Sequence, residues 1–211
     1  MHILRLADYK RMPWKNGKGE TAEIAVFPPD APIDDFDWRI SMATIAENGA
    51  FSAFEGTDRT LSVLSGEGIV LSVEGTDEVK LTPTSAPHAF KGERTATARL
   101  IGSEITDLNV MTNRLRKAHR VTRLTLAKDS LVWSNRNAKM IISLSSHRVE
   151  GAFGYLGRLD SLFLESGDAA ILRSVRPAPV LLIEISDMSS WPDSVGQDVV
   201  FSFDKDFLDL K

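Results

Sequence analysis

Two residues on one short run have the chemistry to recognise an anion. In Trp38-Arg39-Ile40-Ser41-Met42-Ala43-Thr44-Ile45, Arg39 and Ser41 alternate with Trp38, Ile40 and Met42. That is the period of a β-strand with two different faces. If the Arg39 face is the inside of a barrel, a guanidinium points into a concavity where its planar fork suits a carboxylate. If that face is wetted, Arg39 is an ordinary surface residue. The pattern alone leaves both open. Upstream, Trp14-Lys15-Asn16 brings an indole, an ammonium and an amide ahead of Gly17-Lys18-Gly19. Glycines let backbone N–H groups approach an anion. Here, however, the lysine is not followed by Ser or Thr, and no strand-then-helix context surrounds it. Asn16-Gly17 between extended segments reads as a tight turn instead. Asp58-Arg59 reads as an internal ion pair that holds a loop rather than as a ligand contact.

Other chemistries find little support. The four histidines, His2, His88, His119 and His147, form no His-x-His or His-x₃-His pair, so their spacing announces no metal site. With no cysteine there is neither a thiolate ligand nor a disulfide. No metal or other cofactor is therefore expected. No Gly-x-Ser-x-Gly nucleophile elbow occurs. Glu23, Glu47 and His88 are the early residues that could act as a base.

The elements that must position these residues are short and β-like. The 211 residues, 43% hydrophobic and 26% charged, suffice for one elongated all-β domain or two fused ones. Strands are expected over 21–27, 38–45, 60–64, 69–73 and 96–101. Ser65-Gly66-Glu67-Gly68 forms a turn among them. The rhythm restarts with strands over 121–126, 140–144, 154–164, 169–172 and 180–185. The basic run over 112–120 reads as a solvated connection. No amphipathic helix longer than about three turns is visible. A net charge of -4 argues against nucleic acid as a partner. No run approaches the ~18 apolar residues of a membrane span, so no membrane partner is expected. The N-terminus lacks the pattern of a secretory leader, which points to the cytoplasm.

The same polar residues carry a family resemblance. Trp14-Lys15-Asn16-Gly17-x-Gly19-x-Thr21-x-Glu23-Ile24, then Trp38-Arg39-x-Ser41-x-Ala43, then Gly49-x-Phe51-Ser52-x-Phe54-x-Gly56-x-Asp58-Arg59-x-Leu61 resemble the HutD/Ves family. Leu64-x-Gly66-x-Gly68, Phe90-x-Gly92 and Asp107-Leu108-Asn109-Val110-Met111 extend the resemblance through the first half. Lys18 and Leu108 depart from the family's usual glycine and phenylalanine. The family, named from histidine-utilisation loci and a stress-induced protein, is similar to double-barrel cupins. The resemblance implies an all-β, double-barrel cupin-like fold (bicupin, jelly-roll type) with few short helices. One barrel would span residues 1–112 and the other 113–211, packed as one unit.

For function, the resemblance implies a metal-independent protein that binds a small-molecule carboxylate and regulates, with urocanate or formylglutamate of histidine utilisation as candidate ligands. The expected ligand-binding set is Arg39, Lys15, Asn16, Ser41, Arg59, His88, Trp14 and Phe51. His88 would sit at the cavity mouth. Trp14, Trp38, Phe51 and Phe54 line the pocket or belong to the core, the commoner place for strand aromatics. Glu23 and Asn109 would be buried hydrogen-bond partners that hold the site in shape. The alternative is a cupin-type isomerase or lyase acting on a small carboxylate or sugar acid. A third is an interaction module whose sheet edges pair with a partner or form a homodimer.

Overall fold

A computed structural model of the chain describes residues 1–14, 19–127, 129–145, 148–151 and 154–190, and the backbone of 201–202. Its only helices among these are two 3-10 turns, Leu6–Asp8 and Met188–Ser190. The rest of its regular structure is antiparallel sheet.

The strands run as follows in chain order. First come β1 (His2–Leu4), β2 (Lys10–Pro13), β3 (Gly19–Phe27), β4 (Trp38–Ile45) and β5 (Gly49–Ala50). Next are β6 (Thr57–Ser65), β7 (Ile69–Val73), β8 (Val79–Leu81), β9 (His88–Lys91), β10 (Ala96–Leu100) and β11 (Ile105–Asn113). The second half holds β12 (Lys117–Leu126), β13 (Asp129–Trp133), β14 (Ala138–Ser143), β15 (Val149–Gly151) and β16 (Gly154–Leu156). It ends with β17 (Ser161–Glu165), β18 (Ala169–Arg173), β19 (Ala178–Asp187) and β20 (Phe201–Ser202).

The chain divides into two compact units, Tyr9–His119 and Met1–Asp8 with Arg120–Lys211. The division differs from a cut at 112/113 because β1 pairs with β17, placing the first residues with the second half. Each unit is built from two sheets. In the N-terminal unit a six-stranded sheet, β2-β3-β4-β11-β6-β9, accompanies a four-stranded one, β5-β10-β7-β8. Ile45, Leu61, Val63 and Ile105 from the first and Ile69, Leu71, Val73, Leu81, Ala96 and Ala98 from the second form one apolar cluster. In the other unit the sheets β1-β17-β14-β19-β12 and β16-β15-β18-β13-β20 share a cluster that includes Ile141, Leu162, Leu164, Leu172 and Leu182. Among the described residues the pairings leave free edges in all four sheets, and no sheet closes into a barrel.

Local chemistry explains the connections. The Ser65-Gly66-Glu67-Gly68 turn joins β6 to β7, with φ of 87° at Gly66 and 118° at Gly68. Both values favour glycine, and a Cβ on Gly68 would lie 2.2 Å from the Leu81 carbonyl oxygen. The expected strand over 154–164 is split into β16 and β17 by a turn with Leu159 at φ 66°. The basic run over 112–120 joins β11 to β12 of another sheet through an exposed turn at 114–116, and its arginines there are paired rather than left to solvent. Arg114 donates to Asp58, Glu93 and the Thr57 carbonyl at 2.7–3.0 Å, and Arg116 pairs with Asp35 and Asp37 at 2.6 Å. Acidic residues from other segments thus fold the cationic run down.

Leu71 is fully buried in the N-terminal cluster. Truncating it removes transfer energy and leaves a cavity, so Leu71→Ala is expected to lower stability by about 2–5 kcal/mol in chemical denaturation. Leu115→Ala, at a position 89% exposed, should stay within about 0.5 kcal/mol of the parent.

Candidate functional site

Strand register builds the site. Across β4, β11, β6 and β9, the residues Arg39, Met111, Arg59 and Phe90 lie directly opposite one another. The next inward-facing row is Glu23, Ser41, Asn109, Leu61 and His88. The third is Thr21, Ala43, Asp107 and Val63. Cross-strand partners share a face. Leu61, Val63, Ile45 and Ile105 on this face belong to the core between the two sheets. Arg39 therefore faces the interior, which settles the alternative left open by its alternation. One end of that interior is apolar, and the other carries two guanidiniums.

Each arginine is met differently. Arg39 is 5% exposed and donates from Nε to Glu23 Oε2 at 2.8 Å. A bulge in β3 between Glu23 and Ala25 makes this contact. The extra residue lets both Glu23 and Val26 stand opposite inward-facing positions of β4, the re-aiming that bulges provide. Among the described residues, the Nη atoms of Arg39 and the hydroxyl of buried Ser41 take no hydrogen bond. Arg59, also 5% exposed, donates from Nε to Asn109 Oδ1 at 2.9 Å and from Nη2 to the same oxygen. Its guanidinium lies 4.6 Å from the Phe51 ring centroid and 5.4 Å from that of Phe90. Such contacts suit a partly desolvated cation. Phe51 is held there by its own N–H, which donates to the Ala96 carbonyl at 2.9 Å. Close approach of this segment requires Gly92, whose Cβ would meet Thr57 Oγ1 at 2.1 Å.

Behind Asn109 stands Asp107. The Asn109 amide nitrogen donates to Asp107 Oδ1 at 2.8 Å. Asp107 is fully buried, and its Oδ2 has no hydrogen-bond partner among the described residues. Burial pushes its carboxyl up to about 7, against the opposing pull of the Arg59 charge and its hydrogen bonds. The same burial brings Arg59 down to about 10, with Asp107 partly restoring it. Asn109 thus separates a buried acid from a buried cation, accepting on one side and donating on the other.

The expected site residues fare unequally. Arg39, Ser41, Arg59 and Phe51 come together on or over this interior end. His88 stands opposite Leu61, half-buried, its ring 6.1 Å from that of Phe90 and its pKa lowered by burial. Trp14 packs against the apolar core and donates from Nε1 to Thr21 at 2.9 Å. Lys15 and Asn16, like Lys18 and His147, lie outside the described residues. Their anchor, Gly19, stands opposite Ile45, six residues along β4 from Arg39, or about 20 Å at strand rise. The expected Asp58–Arg59 pair does not form. Neighbours on a strand point to opposite faces, so Arg59 turns inward while Asp58 bonds Lys91 and Arg114. Glu23 and Asn109 serve as the buried partners expected of them. Asp107 enters the sequence reading only within the motif Asp107–Met111, although polar residues at 107 and 109 in an apolar stretch are the mark of an inward polar ladder.

Other buried polar groups lie outside this end. On the opposite face of the six-stranded sheet, Thr60 and Thr112 bond Nε2 and Nδ1 of His119, each at 2.8 Å. Burial brings that imidazole down to about 4. In the C-terminal unit, buried Lys139 donates to the Trp133 carbonyl at 2.6 Å and lies 3.4 Å from Glu184 Oε1. Among the described residues no three of His, Cys, Asp and Glu converge as a metal site. None of the helices there could cross a membrane.

Comparison with known proteins places this geometry in context. A family model described as HutD matches residues 6–182. An uncharacterised 21.2 kDa protein in the hutC 3′ region of Pseudomonas putida is 37% identical over 172 residues, 80% of this chain and 88% of that protein. Protein Ves of Escherichia fergusonii is 43% identical over 110 residues, 50% of this chain and 56% of that one. Among solved structures, HutD from Pseudomonas fluorescens SBW25, in a formate condition, superposes with a TM-score of 0.75 at 31% identity. That match covers 88% of this chain and 97% of the other. A cupin 2 conserved barrel domain protein from Leptotrichia buccalis shares the fold at 8% identity, with a TM-score of 0.56 over 87% and 100% of the two chains.

Buried Asp107 and half-buried His119 set opposite pH trends. Asp107, raised to about 7 in the folded chain, stabilises fully below its unfolded value near 4 and loses that contribution as pH rises to 7. His119, lowered to about 4, stabilises above its unfolded value near 6.5 and loses that contribution as pH falls to 4. Between pH 4.5 and 6.5 the two oppose each other. Asp107→Asn should therefore make stability rise more steeply with pH than in the parent, measured by urea denaturation. Parallel profiles would show that Asp107 ionises normally in the folded protein.

Proposed function

This chain belongs to the HutD family, and from its buried, half-engaged Arg39 we propose that it binds a small carboxylate inside the N-terminal unit. The observation that carries this reading is a desolvated guanidinium whose Nε is held by Glu23 while its two Nη groups have no partner among the described residues. A ligand carboxylate accepts from that fork, Ser41 adds a hydroxyl, and Arg59 adds a second positive charge on the same row. Low-polarity walls strengthen such contacts relative to water. His88 and Phe51 complete the surroundings in this reading, Trp14 lines the apolar side, and Lys15 and Asn16 are the remaining expected contributors.

The reading extends to fold and role. The two units act as two cupin-like barrels, the N-terminal one binding and the C-terminal one supporting. The protein regulates rather than turns over its ligand, in histidine utilisation, with urocanate or formylglutamate as the carboxylate. The place of the P. putida relative in the hutC 3′ region supports that setting.

Isothermal calorimetry with urocanate and formylglutamate tests it. At least one should bind, and Arg39→Gln should weaken it about ten- to a hundredfold, the worth of a charge-assisted hydrogen bond or two. Arg173→Gln, on an exposed side chain of the other unit, should bind as the parent does. Thermal melting run alongside separates lost binding from lost folding. Indistinguishable affinities for Arg39→Gln and the parent would defeat the proposal, and consumption of the ligand during titration would favour the isomerase or lyase reading.

A further inference from the structure

The charges inside the N-terminal unit do not balance in a fixed way. Arg39 is answered by the Glu23 carboxylate at 2.8 Å. Arg59 is answered by a neutral amide, Asn109, with two of its nitrogens on one oxygen. The carboxyl that could neutralise Arg59 is Asp107, one step further along the same ladder and reached only through Asn109. The opposing sheet adds no charge to the interior, since its inward residues Ile69, Leu71, Val73, Leu81, Ala96 and Ala98 are apolar. Lys10, opposite Glu23 on β2, is exposed. His88 on β9 is half-buried and its pKa is lowered, so it is neutral above the ordinary histidine range. Among the described residues the net charge of this interior therefore depends on one proton. With Asp107 protonated it is +1; with Asp107 ionised it is zero.

We propose that this interior takes up an anion and a proton together, the anion at the end carrying Arg39 and Arg59 and the proton on Asp107. The inference rests on the carboxylate-binding reading and adds its regulation. Asp107 is a positioning residue, because it acts on the anion only through Asn109 and the charge of Arg59. The geometry already suits the protonated form. One oxygen accepts from Asn109 and the Ala43 backbone N–H acts on the same carboxyl, whereas among the described residues Oδ2 is buried without a hydrogen bond, a costly place for half of an ionised carboxylate. The raised pKa, about 7, puts the exchange in the physiological range. A second anion brought near Arg59 competes with ionised Asp107 for the same charge and raises the acid's proton affinity further. By linkage, the proton must raise affinity for the anion by the same factor.

Calorimetry with N-formyl-L-glutamate decides the matter, because that probe has no group titrating between pH 6.5 and 8.5. Runs in buffers of different ionisation heat give the protons taken up per ligand bound. In the parent, uptake of about half a proton, largest near pH 7.5, is expected for a shift of one pKa unit. Affinity should fall about fivefold or more from pH 6.5 to 8.5 if the anion shifts Asp107 by one pKa unit. Asp107→Asn, nearly the same shape, should bind with no uptake and a flat profile, its fold checked by circular dichroism. Should that variant not fold, carboxyl-carbon NMR of the parent replaces it, expecting the Asp107 midpoint to rise on adding formylglutamate. Binding without uptake, or uptake that survives in Asp107→Asn, overturns the proton linkage alone. Absence of binding at every pH overturns the carboxylate reading, and the linkage with it.

Discussion

Two guanidiniums inside a β-sandwich impose the constraint on which the rest of the N-terminal unit depends. A guanidinium is not neutralised by burial as a lysine or carboxyl can be, so it must be supplied with acceptors where it stands. The acceptors here come from neighbouring strands at fixed register. Glu23 reaches Arg39 because a bulge in β3 turns it inward. Asn109 reaches Arg59 from the adjacent row of β11. Phe51 and Phe90 cover the second guanidinium, and a glycine at 92 lets the covering segment come close. Replacing such buried charges with apolar residues is commonly neutral or stabilising in other proteins. Their presence here therefore calls for an explanation other than stability, and the proposed anion binding offers one.

The two units treat interior charge differently. In the N-terminal unit the polar ladder, among the described residues, engages only Nε of Arg39. In the C-terminal unit, Lys139 spends its ammonium on the Trp133 carbonyl and lies beside Glu184. Trp133 ends β13, and Lys139 lies on β14, so the bond ties together the two strands joined by the turn over 134–137. That is a structural use of a buried cation.

Much of this was legible in the sequence, for physical reasons. The strands β4 and β7 were readable to the residue because apolar and polar side chains alternate in them or run unbroken between turn residues. Gly66 and Gly68 announced their turn because no other residue fits there. By contrast, β11 was hard to see, since both faces of its sheet are buried and alternation fades when neither side meets water. The run over 112–120 misled because its charges are answered by Asp35, Asp37, Asp58 and Glu93, all distant in sequence. Arg39 and Arg59 were identified by type and by family resemblance, but only register could show that both face inward. Asp107 needed the structure most. Its alternation with Asn109 marks an inward polar pair, but its two-step path to Arg59 leaves no local mark.

The most direct test of the central claim is a crystal structure of the chain grown with formylglutamate. The account predicts a ligand carboxylate held by Arg39 Nη1 and Nη2 at about 2.7–2.9 Å, with Glu23 still on Nε and Arg59 still on Asn109. A ligand ordered elsewhere, with no contact to Arg39, would contradict it.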